Sequence, residues 1–236
     1  MPTSTNEHIV SSYEDELLQL GQNISEMGGA VETAVANATR ALIRFDAELA
    51  KKTIENDKKI DEMQRRIDES AVSMIARRQP MATDLRLIIS SIHVANDLER
   101  IGDMAKNIAR RTLQIEGLQL SPQFYNGVRH MAELTLTQLK AALDAFSNRD
   151  SAAAIVVCER DNEVDALYAS LFRELLTYMM EDPRNISQCT HLLFGAKSLE
   201  RTGDHATNIA EAAYYLETGR NLAAEDNEVN RLQIKV

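Results

Sequence analysis

Cysteine, proline, glycine and aromatic residues are all scarce in this chain. Its 2 cysteines, Cys158 and Cys189, stand apart and form no Cys-x-x-Cys pair, so a disulfide scaffold or zinc site lacks material and two reduced thiols are expected. At 5% aromatic content there is little of the β-branched and aromatic alternation that marks strands, and 9 Gly and 4 Pro in 236 residues leave few breakpoints. No apolar run approaches the roughly 20 residues of a membrane span. The opening MPTSTNEHIVSSYEDELL has no basic segment followed by an apolar one, so no signal peptide is expected. A basic excess is missing too: 26 Lys plus Arg face 36 Asp plus Glu, a net charge of -10, which repels a nucleic-acid backbone. GxSxG, HExxH, P-loop and GxGxxG motifs are absent, which leaves hydrolase, zincin and nucleotide chemistry without residues.

What is present reads as helix. Leu17, Leu20, Ile24, Met27, Val31, Ala34, Ala38, Ala41 and Phe45 step by three and four residues, an apolar seam at heptad spacing. Pro80, Pro122 and Pro183 suit the first turns of helices, Gly117 and Gly219 suit C-terminal stops, and Asp46 and Asp150 suit N-caps after short turns. The pattern predicts an all-α chain of six long helices, at about 8–45, 47–78, 81–116, 122–148, 151–181 and 185–218. Short turns make neighbours antiparallel, so the helices form two tandem, pseudo-symmetric three-helix bundles. Their expected bounds are residues 1–117 and 118–220, with a polar tail over 221–236.

The symmetry is written in the text itself. ANDLERIGDMAKNIA, from Ala95 to Ala109, returns as AKSLERTGDHATNIA from Ala196 to Ala210, with ten of fifteen positions identical where chance gives roughly one. Glu99 falls on Glu200 and Asp103 on Asp204 at an offset of 101; on the middle helices Asp57 and Asp61 fall on Asp161 and Asp165 at an offset of 104. Each half therefore carries two acidic pairs at i and i+4, one turn apart on one helix face. Such pairs repel, and Gly102 and Gly203 beside them each cost roughly 1 kcal/mol relative to Ala. Clustered carboxylates that border an apolar stripe call for a counter-charge, and an all-oxygen set suits hard ions such as magnesium, manganese or ferric iron. The alternative for any one pair is a solvated face matched by Lys58, Lys106, Arg100 or Arg201. Four pairs in twofold register favour the metal. Asn107 and Asn208 repeat as well and are candidates for supporting the ligands. His205 adjoins Asp204, but its counterpart is Met104.

Two three-helix bundles with a doubled LERxGDxAxNIA motif resemble the PhoU family of bacterial phosphate transport, and ARRQPMATDLRLI, Ala76 to Ile88, is similar to its text as well. The resemblance covers residues 8–218. It implies a cytoplasmic negative regulator, peripheral at the inner membrane through protein partners, that couples the phosphate ABC transporter to the phosphate sensor histidine kinase. It also implies metal clusters at Glu99, Asp103, Glu200 and Asp204, with Asp57, Asp61, Asp161 and Asp165 as weaker additions. The second half has Lys197-Ser198 where the first has Asn96-Asp97, so the two sites need not hold equal numbers of ions. The long seams make a homodimer an expectation. A structural coiled-coil adaptor without metal is the main alternative. A di-iron carboxylate enzyme is weaker, because its Glu-x-x-His signature is missing: no histidine has a glutamate three residues before it.

Overall fold

The computed structural model describes residues 4–115 and 125–222, with side chains from residue 12 onward. Seven α-helices account for nearly all of them: α1 (Ser4–Arg44), α2 (Ala47–Arg78), α3 (Ala82–Gln114), α4 (Asn126–Asn148), α5 (Ser151–Glu159), α6 (Asp161–Glu181) and α7 (Ile186–Thr218). Helices α5 and α6 are the expected fifth helix, interrupted at Arg160. There the backbone turns to φ -81 and ψ -7, and the Glu163 N–H reaches back only three residues, to the Arg160 carbonyl at 3.0 Å. The last helix is preceded by a 3-10 turn, Pro183–Asn185, in which proline occupies the first turn as expected. Pro80 instead lies in the bend before α3, after Gln79 has closed α2 in the left-handed region at φ 49. Gly117, Pro122 and the tail lie outside the described residues, apart from residues 221 and 222.

The duplication reaches the turns. Phe45 and Arg149 both take left-handed φ, 56 and 54, and the next residues, Asp46 and Asp150, each accept a hydrogen bond from a backbone N–H three residues on, both at 2.9 Å. The Asp46 and Asp150 amides return to the Ala41 and Ala145 carbonyls at 3.1 and 2.9 Å. One closing motif thus ends the first helix and starts the second in each half. At the far end, Gly219 stops α7 at φ 71 with its N–H on the Tyr215 carbonyl.

Helices α1 to α3 pack as one bundle and α4 to α7 as the other, and the bundles meet along α3 with α7 and along α1 with α4. The α3–α7 pairing is the most extensive of all. One apolar core therefore runs through both halves. The α1 seam lies inside it, broadened by Val35 and Leu42 because α1 touches helices of both bundles. Gly28 lets α1 approach α4: a Cβ there would meet the Leu143 side chain at 2.8 Å. Among the described residues no helix is long and apolar enough to cross a membrane.

Candidate metal centre

The glycines inside the repeated motif explain how the acids come together. A Cβ at Gly102 would stand 3.1 Å from Ile60 on α2, and one at Gly203 would stand 3.1 Å from Gln138 Oε1 on α4 and 3.4 Å from Val164 on α6. Ile60 and Val164 are equivalent in the repeat, and each is buried. The missing side chain brings the third helix of each half against the second, and this close approach draws Glu99 and Asp103 toward Asp57 and Asp61, and Glu200 and Asp204 toward Asp161 and Asp165. The charges register it. Glu99 is held above the ordinary carboxylate range by burial, then by Asp103, with Asp61 and Asp57 adding and Arg100 opposing. Asp61 is raised by burial and Asp57, against Lys106.

In the first half a lysine occupies the gap. The Lys106 ammonium pairs with Asp57 Oδ2 across the α2–α3 interface and with Asp103 Oδ1 at 2.9 Å. Asp57 is only 5% exposed, and its Oδ1 is buried against the Gly102 backbone with no hydrogen-bond partner. Arg100 adds a second cation, at 3.5 Å from Glu99 and 3.8 Å from Asp103. Four carboxylates thus face one ammonium held between the helices and one guanidinium that is mostly exposed. As arranged, these residues do not fit a metal cluster.

The second half is built differently at the same positions. Thr207 stands where the first half has Lys106, and Gln138 stands where it has Ala34. The Gln138 amide donates to Asp161 Oδ1 at 2.9 Å and to Thr207 Oγ1 at 3.1 Å. Asp161 also begins α6, because the interruption at Arg160 gives it a helix N-terminus that favours negative charge. Asp57, in the middle of an unbroken helix, has none. Asp165, Glu200 and Asp204 each offer an oxygen, and these atoms all lie within 4.8 Å of one another; among the described residues no such set forms in the first half. Lys197 pairs with Glu200 Oε1 but is half exposed at the rim, whereas Glu200 Oε2 is buried with no hydrogen-bond partner. No ion pair joins Arg201 to Glu200 or Asp204. Asp204 is raised by burial, then by Glu200, Asp161 and Asp165, and Asp165 by burial followed by Asp161 and Glu200, with Lys197 opposing in both. This donor set fits a hard cation.

The PhoU domain matches twice, over residues 24–112 and 128–213, so each bundle takes one copy. This chain belongs to the PhoU family. It is 54% identical over 212 residues to a phosphate-specific transport system accessory protein PhoU homolog of Rhizobium meliloti (strain 1021), covering 90% of each chain. A homolog with the same description from Caulobacter vibrioides (strain NA1000 / CB15N) is 45% identical over 93% of this chain and 95% of its own. Among solved structures, PhoU from Pseudomonas aeruginosa superposes with a TM-score of 0.84 at 46% identity, over 88% of this chain and 100% of that one. The phosphate transport system regulatory protein PhoU from Streptococcus pneumoniae gives 0.82 at 32% identity, over 89% and 99%.

Two residues of the PhoU motif bond away from the carboxylates they were expected to support. The Asn107 side-chain Oδ1 accepts from Arg110 at 3.5 Å, and the Asn208 side-chain amide donates to Asp97 on α3 at 3.1 Å. His205 also turns from Asp204 and meets Asp97, with Nδ1 at 2.9 Å from Oδ1. Gln138 and Thr207 escape sequence reasoning. Thr207 was visible as the mismatch to Lys106 inside an otherwise identical stretch, but Gln138 against Ala34 lies in a helix whose two copies have diverged too far to align by eye.

Proposed function

We propose that this chain is a non-enzymatic negative regulator of phosphate uptake and of the phosphate-starvation response, coupling a phosphate ABC importer to its sensor histidine kinase. Near full-length likeness to phosphate-specific transport system accessory proteins carries this reading. On it, the protein works in the cytoplasm and reaches the inner membrane by protein contacts, a helix face against a partner's groove or domain. The carboxylates would hold a hard ion, iron, manganese or magnesium, which would neutralise them and tie together the second and third helices of a bundle. Asp165, Glu200 and Asp204 would be the ligands, with Asp161 beside them under the hold of Gln138. Self-association as a homodimer is part of the proposal. Its support moves from the α1 seam, which the chain buries within itself, to the exposed Phe172, Leu176 and Met180 at four-residue steps along α6.

Deleting the gene should switch on phosphate-starvation genes in phosphate-replete medium and cause phosphate over-accumulation, and restoring it should reverse both. A silent reporter with normal phosphate content would reject the regulatory reading. The metal-free adaptor draws support from one observation, the Lys106 ammonium between Asp57 and Asp103.

A further inference from the structure

The two PhoU repeats place equivalent acids at equivalent points and then treat them differently. In the first, the ammonium of Lys106 bridges Asp57 on α2 and Asp103 on α3, the position between the helices where a cation would have to bind both. Its side chain is 21% exposed, so it is held in the interface, whereas Lys197 in the second repeat is 46% exposed, pairs with one acid only, Glu200 on its own helix, and otherwise stands over the Tyr168 ring of α6. The counterpart of Lys106 is Thr207, which carries no charge and receives Gln138. Asp57 cannot readily give Lys106 up. It is buried and sits mid-helix with no helix N-terminus near it, and the position equivalent to Gln138, which donates to Asp161, is Ala34 in its repeat and offers no donor. Removing the lysine's charge would leave a buried carboxylate unpaired, the costly outcome for any buried ion pair.

We infer that the two carboxylate sites are not equivalent: the first carries its own cation, Lys106, and excludes metal, while ions from solution enter only the second, at Asp165, Glu200 and Asp204. This rests on the metal reading above and narrows it. An ammonium already contacting both donor carboxylates repels an incoming divalent ion and takes its ligands. Each site has a buried carboxylate oxygen without a hydrogen-bond partner, Asp57 Oδ1 and Glu200 Oε2, but among the described residues only in the second do three acids bring oxygens within 4.8 Å of one another, and no lysine there pairs with acids of both helices.

The test is the manganese content of the purified full chain, loaded with excess Mn²⁺, desalted and measured by elemental analysis, with circular dichroism to check the fold. Wild type should bind manganese, E200Q/D204N should lose it, and D57N/D103N should keep all of it. K106T should gain an additional ion, and D57N placed in the K106T background should remove that ion. K106R, which keeps the charge, should behave as wild type. Because D57N/D103N strands Lys106 and risks misfolding, D61N/E99Q gives a second route to the same result. Manganese lost from D57N/D103N or D61N/E99Q but not from E200Q/D204N, or a K106T chain that gains nothing, overturns the inference. A wild type that takes up no manganese overturns the metal reading itself, and the gain in K106T then still reports whether Lys106 blocks the first site.

Discussion

Asp165 and Asp204 bind their protons more tightly in the folded chain than free carboxylates do, because the protein around them and the neighbouring acids disfavour charge. The sign of the consequence follows from proton counting. From the ordinary carboxylate pKa of about 4 up to the raised folded value, the folded state holds more protons than the unfolded one, so stability falls as pH rises through that window. Above it the full penalty remains, and below the ordinary pKa it vanishes. Replacing both residues with asparagine should therefore raise the melting temperature of metal-free protein at pH 7 and leave it unchanged near pH 3.5. The gain should stay under about 1 kcal/mol, because both carboxyls reach solvent. Manganese should stabilise wild type at pH 7 and not the variant, since only an ion bound to the folded state shifts the balance. A benefit of equal size at both pH values would show that like-charge crowding is not its source.

Helices carry the argument from single acids to a site, and the glycines decide how closely they pass. Gly102→Ala should change stability little: the gain in helix propensity, roughly 1 kcal/mol, is opposed by a Cβ pressed 3.1 Å from Ile60. Gly102→Leu should cost about 1–3 kcal/mol in chemical denaturation by wedging α3 off α2, and Gly203→Leu should do the same against Val164. A leucine tolerated without cost would mean that close approach is not what the glycine serves. The glycines had been legible only as a repeated penalty, because the residue they accommodate lies on another helix about forty residues earlier in the chain. The caps at Asp46, Asp150 and Gly219 were legible because they act through bonds to residues three to five positions away, a distance at which local chemistry dictates geometry. The interruption at Arg160 was not. ERDNEVD holds neither glycine nor proline to mark the break, and both pieces pack on α4 and α7.

At the scale of the molecule, the exact repeat predicts two like halves, and the departures from it show how they differ and how they join. Asp97 replaces the residue type found at Ser198, and His205 replaces that found at Met104. In the sequence the first bears only on how many ions each site holds, and the second only on the neighbouring Asp204. Antiparallel packing of α3 on α7 brings the two departures together, with Asp97 accepting from both His205 and Asn208. That pairing was illegible in one dimension because it joins positions 108 residues apart, whereas the acids were legible because the duplication printed them twice. The junction can be tested by restoring symmetry. Asp97→Ser alone should cost about 1–3 kcal/mol, since it leaves two donors at a partly buried contact without their acceptor. His205→Met alone should cost less, because Asn208 still satisfies Asp97. The double variant, which writes at this contact the residues the other repeat already has, should be more stable than the two single costs summed. The expected coupling is about 0.5–3 kcal/mol, as for residues in direct contact, measured by denaturant titration of all four proteins. Strict additivity would mean that the Asp97–His205 hydrogen bond does not hold the bundles together, and that the apolar packing of α3 against α7 suffices.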